Sequence, residues 1–326
     1  MIILVLFALV IGLCIGSFLN VVILRSLSEE SIVFPASKCP KCQHKLHWWH
    51  NIPVLSYIIL RGKCGFCKEK ISIQYPLIEL LTGIIFVVTF IKFGLSYHTL
   101  FAWTFASLFI VLAVTDIKEK VVFDVHTYSL IVAGLVYALI STAAYVCNYY
   151  SLMGEFEITT RWLVNNQLTV ALLGAILGFV VMELISRSGY LLAGTRAFGE
   201  GDSYIAAGLG AVFGWRILVD ILVMSAVIQL LVIVPMFIKS EFTKKNYKTL
   251  IYLAIFIVLA VGFFTLQYFG YMSKMLVYIP STLLLIVIGA LLCKEILVGV
   301  KNNPSERTYL PYGPALVIAG FIVLLV

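Results

Sequence analysis

Long uncharged stretches are what most limit the folds open to this chain. Ile2 to Leu24 runs without a single charged residue, and further apolar segments follow at Pro76–Phe93, Leu100–Thr115, Val125–Val146, Leu168–Ile185, Tyr204–Phe213, Ile217–Ile238, Leu250–Phe269, Leu276–Leu292 and Pro311–Val326. A helix of about 20 apolar residues spans the hydrocarbon of a bilayer, and lipid tolerates only structures that satisfy their own backbone polar groups. With 62% hydrophobic and 12% charged residues, the 326-residue chain is too apolar for a water-soluble domain. The prediction is an all-α polytopic membrane protein of about 8–10 transmembrane helices. Tyr204–Phe213 is short for a span, and it and the final segment carry the weakest signals. The first segment is too long for a signal-peptide core and has no basic stretch before it, so it reads as a retained helix with its N-terminus outside.

Charge placement orients these segments. Alternating from an outside N-terminus puts loops 25–75, 116–124, 186–201, 239–248 and 294–307 inside, and these hold 19 of the 23 Lys and Arg residues. Such a bias is the positive-inside pattern. It accounts for the net charge of +7 without nucleic-acid binding, which is not expected.

The single long polar stretch, Arg25–Tyr75, holds four of the seven cysteines, as CPKC at Cys39/Cys42 and CGFC at Cys64/Cys67, with 21 residues between the pairs. Two such knuckles resemble a zinc ribbon, because a tetrahedral ion takes two sulfurs from each tight turn. Lys38, Lys41, Lys63 and Lys68 would offset the surplus negative charge of four thiolates. Disulfides are the competing reading, disfavoured on the reducing side of a membrane. His44, His47 and His50 fall outside a completed four-sulfur shell. Cys14, Cys147 and Cys293 are expected as small buried side chains. Gly12 and Gly16 form a GxxxG step expected to be a helix-packing face.

Acids near apolar segments are costly in lipid and point to function. Asp202 follows Gly199, Glu200 and Gly201 at the mouth of its segment, and Asp116 closes the segment SLFIVLAVTD at the same predicted depth. Asp124, Glu183, Asp220 and Glu79 are the other acids in reach. Two carboxylates brought together share one proton, so that one can take a proton from water while the other polarises a carbonyl, the chemistry of an aspartic protease. On spacing alone three readings stay open: a protease, a proton-coupled transporter using Asp116, Asp202 and Glu183, or structural pairing with Lys118 or Lys120.

The order of these features resembles the bacterial type IV prepilin peptidases, membrane aspartic proteases of the GxGD type. The resemblance rests on GSFLNVVILR (Gly16–Arg25), the whole cysteine block Cys39–Gly83, TDIKEKVVFD (Thr115–Asp124), FGEGDSYIAAGLGAVFGW (Phe198–Trp215) and YLPYGPALVIAG (Tyr309–Gly320). It implies a catalytic dyad of Asp116 and Asp202, with Asp124, Gly199 and Gly201 in support. It also implies structural zinc on Cys39, Cys42, Cys64 and Cys67. The expected domains are a first helix over 1–24, a cytoplasmic zinc-ribbon-like domain over 25–75 and a peptidase domain over 76–326. The expected location is the bacterial cytoplasmic membrane, with the dyad and zinc domain facing the cytoplasm.

The implied substrates are prepilins or pseudopilins, cut at the end of a short basic leader while the apolar helix stays in lipid. Many members also methylate the new N-terminus from S-adenosylmethionine. The sequence has no Gly-rich nucleotide loop, so Glu79 and Gly83 are the candidates offered for that cofactor. A peptidase without methyl transfer stays open as an alternative. Phe123, Tyr204 and Gln74 stand where the family usually has proline, lysine and arginine, and an extra helix pair is expected over 250–299.

Overall fold

The structure, a computed structural model, describes residues 2–34, 37–39, 41–153, 159–193, 199–243, 247–268, 284, 287 and 312–326. The described chain is helical, its only strand-like pairings being isolated bridges Lys38–Lys45 and Lys63–Lys70. The helices are α1 (Ile2–Leu27), α2 (Leu55–Ile59), α3 (Gln74–Phe93), α4 (Tyr97–Glu119), α5 (Asp124–Met153), α6 (Thr160–Asn165), α7 (Gln167–Ala193), α8 (Glu200–Thr243), α9 (Tyr247–Tyr268) and α10 (Gly313–Leu325), with a 3-10 turn at Trp48–Asn51. Six of them, α1, α3, α4, α5, α7 and α8, are long and apolar enough to cross a membrane, and two shorter apolar stretches lie at Tyr247–Leu259 and Gly313–Leu325. Of the expected helix pair at 250–299, the first member is seen to Tyr268; the second, apart from residues 284 and 287, lies outside the described residues.

Two compact units result. The first comprises Met1–Arg187, Phe198–Ala226 and Pro311–Val326, and the second Ser188–Ala197 and Val227–Leu310. The cysteine-rich stretch and all the candidate site residues belong to the first.

Glycines set the helix spacings in that unit. A Cβ on Gly12 would fall 2.7 Å from Gly83 Cα, and one on Gly16 2.7 Å from Glu79 Cα, so α1 and α3 touch backbone to backbone. Where lipid tails are as apolar as the side chains, such close approach is the main source of helix–helix attraction. The predicted packing face is therefore present, and Gly83 is its counter-surface.

The first part of α8 is the hub. Its 14 residues before Gly214 rise about 21 Å, less than a bilayer core. Enclosure rather than spanning length explains the segment: Ile205, Ala206, Leu209 and Ala211 are fully buried. Gly174 and Gly178 of α7 meet the backbones of Gly210 and Ala206, a Cβ on Gly208 would fall 2.6 Å from Leu130 Cδ2 of α5, and one on Gly320 of α10 would fall 2.7 Å from Leu209 Cδ2. At Gly214, φ of 79° breaks the helix against Val170. With ψ of 166° as well, Gly214 is non-helical, so Glu200–Thr243 comprises two helices that meet at a break, where the sequence separates its two apolar segments.

Candidate functional site

Both predicted aspartates lie at the same end of the first unit. The helix carrying Asp116 runs one turn beyond the apolar segment, to Glu119, where Lys120 caps it in the left-handed region with its N–H on Asp116 O at 2.9 Å. Asp116 is therefore on the last turn of α4, and only 3% exposed. Asp202 is on the first turn of α8 and 4% exposed. The Gly199 N–H donates to Asp202 Oδ2 at 3.2 Å while the Asp202 N–H donates to Gly199 O, a reciprocal cap that fixes this carboxylate at the helix N-terminus.

Gly201 explains how the two helices meet. A Cβ there would fall 2.5 Å from Val122 Cβ, so the bare backbone lets the α4–α5 linker lie against the start of α8. The carboxylates are close enough to interact electrostatically, and the Gly313 amide at the start of α10 faces both. Asp116 Oδ2 points at Gly313 and has no hydrogen-bond partner of good geometry among the described residues. A buried carboxylate oxygen left open in this way is where a water or a substrate carbonyl finds a partner.

The stretch around Gly313 carries no sequence signal that would place it at the acids. Tyr312 anchors it: the Ser225 hydroxyl donates to Leu222 O at 2.8 Å, and its oxygen lies 2.7 Å from the Tyr312 hydroxyl. Nothing in the spacing signals that contact, since 87 residues separate the partners.

The other acids have different surroundings. Asp124 is exposed at the first turn of α5, where a negative charge suits the helix dipole. Glu183 pairs with Arg187 at 2.8 Å and accepts from Ser203 at 3.4 Å, so it braces the turn that carries Asp202. Tyr204, in place of a basic residue, lies edge-on to Tyr128 at 5.6 Å and against Phe179 at 5.4 Å. Ser26 at the end of α1 lies 3.0 Å from His126 of α5, tying the cysteine-rich end to the aspartate end.

Glu79 and Gly83 do not by themselves make a methyl-donor site. Gly83 is covered by Leu9, Leu13 and Gly12. Glu79 is buried, its Oε2 accepting the Val54 N–H at 2.7 Å and its carboxylate also meeting Ser17.

The four cysteines do come together. Each knuckle repeats one pattern: Cys39 N–H to His44 O and Gln43 N–H to Cys39 O, then Cys64 N–H to Glu69 O and Lys68 N–H to Cys64 O. Gln43 and Lys68 both take positive φ to close the turn. All four sulfurs lie within 4.8 Å of one another, and Cys39 and Cys67 are 4.0 Å apart. A tetrahedron with 2.3 Å metal–sulfur bonds has edges of about 3.8 Å, so the cluster fits a metal ion. The thiols are free rather than bridged. Backbone N–H groups of Cys67 and Phe66 bring the Cys64 thiol down to about 7. The Cys67 thiol, despite the Glu69 amide, is pushed up to about 11 by burial and the neighbouring sulfurs. One thiolate makes the next harder to form, a penalty that a divalent cation removes.

The fold and site define a multi-pass membrane protein with a four-sulfur head and a buried aspartate pair at one end. Residues 10–93 match the bacterial peptidase A24 N-terminal domain, and residues 103–234 match the type IV leader peptidase family. The chain is 36% identical over 220 residues to the prepilin leader peptidase/N-methyltransferase of Myxococcus xanthus, covering 68% of this chain and 59% of that relative. It is 34% identical over 253 residues to the protein of the same name from Neisseria gonorrhoeae, covering 70% and 81%, and 31% identical to that of Dickeya chrysanthemi, covering 67% and 77%. No solved structure matches the chain. The chain belongs to the type IV leader peptidase family.

Proposed function

We infer that this protein is an aspartic endopeptidase that removes the leader of prepilins or pseudopilins, with Asp116 and Asp202 as its dyad. The observation that carries this reading is the meeting of two buried carboxylates and the Gly313 amide at one helix-end cluster. One carboxylate takes a proton from water as the oxygen attacks the scissile carbonyl, while the other donates its proton to the carbonyl oxygen. The dyad then returns a proton to the departing amine, and neither metal nor acyl-enzyme is needed. Gly199, Gly201 and Asp124 support the dyad by fixing the start of α8 and of α5. The expected site of action is the cytoplasmic face of a bacterial inner membrane, where a basic leader meets an apolar helix that stays in lipid. Zinc held by Cys39, Cys42, Cys64 and Cys67 would staple the small head, whose apolar core is slight.

Methylation of the new N-terminus from S-adenosylmethionine is the second activity proposed, on the strength of the relatives' names. Glu79 and Gly83, the candidates for that cofactor, are engaged in main-chain bonding and packing. Co-expression with a prepilin-like substrate tests both activities. Asp116→Asn and Asp202→Asn should each abolish shortening of the substrate, and mass spectrometry of the wild-type product should show one added methyl group. Normal shortening by both variants would end the dyad assignment, and an unmethylated product would end the second activity.

A relay through Glu183, the transporter reading, has less support: that carboxylate is held by Arg187 and Ser203.

A further inference from the structure

An apolar surface between the cysteine knuckles is used by neither the sulfur cluster nor the aspartates. Trp48 is 76% exposed and Trp49 47%, while α2 turns out Leu55, Ile58 and Ile59 at 57%, 63% and 75%. Spacing of i, i+3 and i+4 puts those three on one helix face. His47 stacks on Trp49 at 4.5 Å, and Trp48 meets Trp49 edge-on at 5.6 Å, so the two indoles form a braced unit.

One hydrogen bond sets the height of this arm. The Val54 N–H donates to Glu79 Oε2 at 2.7 Å, and Val54 takes φ of 60°, rare for a β-branched residue. Glu79 lies five residues inside α3, about 7.5 Å along the axis from its first residue. The arm is therefore held beside the opening turns of a membrane-spanning helix, where Leu77, Leu80 and Leu81 also face outward. Charge points the same way: residues 37–73 hold seven Lys and Arg against the single acid Glu69. Apolar anchors with a cationic rim suit an anionic lipid surface, whereas a basic peptide would meet like charge.

We propose that the Trp48–Ile59 arm is a membrane-surface anchor, its two indoles and the outer face of α2 seated in an anionic headgroup layer beside α3. The anchor fixes the four-sulfur head against the bilayer. This inference stands whether or not the aspartates are catalytic.

The test uses the full chain in nanodiscs of phosphatidylcholine alone or mixed with phosphatidylglycerol, with lipids brominated near the top of the acyl chain. The difference in emission between wild type and the Trp48→Phe/Trp49→Phe variant isolates these indoles from Trp103, Trp162 and Trp215. The expected signal is blue-shifted, quenched by the brominated lipid, shielded from aqueous acrylamide, and more so with phosphatidylglycerol. Ile58→Ser/Ile59→Ser should weaken the lipid quenching while the circular dichroism stays that of wild type. Water-like emission open to acrylamide in both compositions would overturn the proposal. So would shielding that arises only when a prepilin segment is added, since that would make the arm a protein-docking surface.

Discussion

Replacing Gly201 with alanine adds one methyl group at the point where α8 meets the α4–α5 linker. The new carbon would lie 2.5 Å from Val122 Cβ and 2.8 Å from Val122 Cγ2. Comfortable carbon–carbon separation is about 3.5–4.0 Å, so the backbones must part by about 1 Å or more. Val122 cannot swing clear, because the nearest atom is its own Cβ. Overpacking of this kind costs about 1–3 kcal/mol of stability. The effect on catalysis should be larger. Asp202 is one residue away and Asp116 is on the last turn of the helix that leads to Val122, so the added carbon pushes the two carboxylates apart. A misplacement of about 1 Å costs on the order of 100-fold in rate. The assay is cleavage of a prepilin-like substrate by purified enzyme, with the thermal midpoint measured in parallel. Gly201→Ala should lose about 100-fold in kcat while the protein stays folded. Adding Val122→Gly, which removes the opposing carbons, should return part of the lost rate. A Gly201→Ala enzyme with wild-type kcat would refute the claim that this contact positions the dyad.

Four further outcomes are expected. Purified protein should carry close to one zinc per chain by elemental analysis, and Cys39→Ser with Cys64→Ser should abolish it. Because the ligands are thiolates, protons compete with the metal, so zinc should be retained above neutral pH and lost on acidification toward about pH 5. Tyr312→Phe leaves Ser225 its helix carbonyl and should cost only about 0.5–1.5 kcal/mol in thermal stability. It should nonetheless lower kcat with little change in KM, because the Gly313 amide is no longer held at the carboxylates. Gly16→Ala would put a carbon 2.7 Å from Glu79 Cα, and should lower the thermal midpoint through a loss of about 1–3 kcal/mol.

Much of this protein is legible in one dimension because each signal is local. The spans at α1, α3, α4, α5 and α7 follow from uninterrupted apolar runs, with boundaries shifted by a few residues where polar ends extend a helix, as at Asp116–Glu119. The cysteine pairs announce themselves because each knuckle is a single tight turn. Gly12 and Gly16 read correctly as a packing face, since a step of four residues returns to the same side of a helix. Tyr204–Phe213 gave the weakest interior signal for a physical reason. A helix enclosed by other helices needs small residues rather than length, so hydropathy underweights the element that organises the unit. Gly83 was grouped with Glu79 as a cofactor candidate from its motif, whereas its lack of a side chain serves contact with α1.

The primary structure determined the membrane environment, the helical class, the charge asymmetry and the four-sulfur head, all consequences of composition and short-range spacing. Only the three-dimensional arrangement decided that Asp116 and Asp202 lie close enough to interact, that Gly201 packs on Val122, that Tyr312 is tied to Ser225, and that Glu79 holds Val54. These contacts join residues 25 to 87 positions apart. They depend on which helices pack together and at what separation, and no periodicity along the chain encodes that.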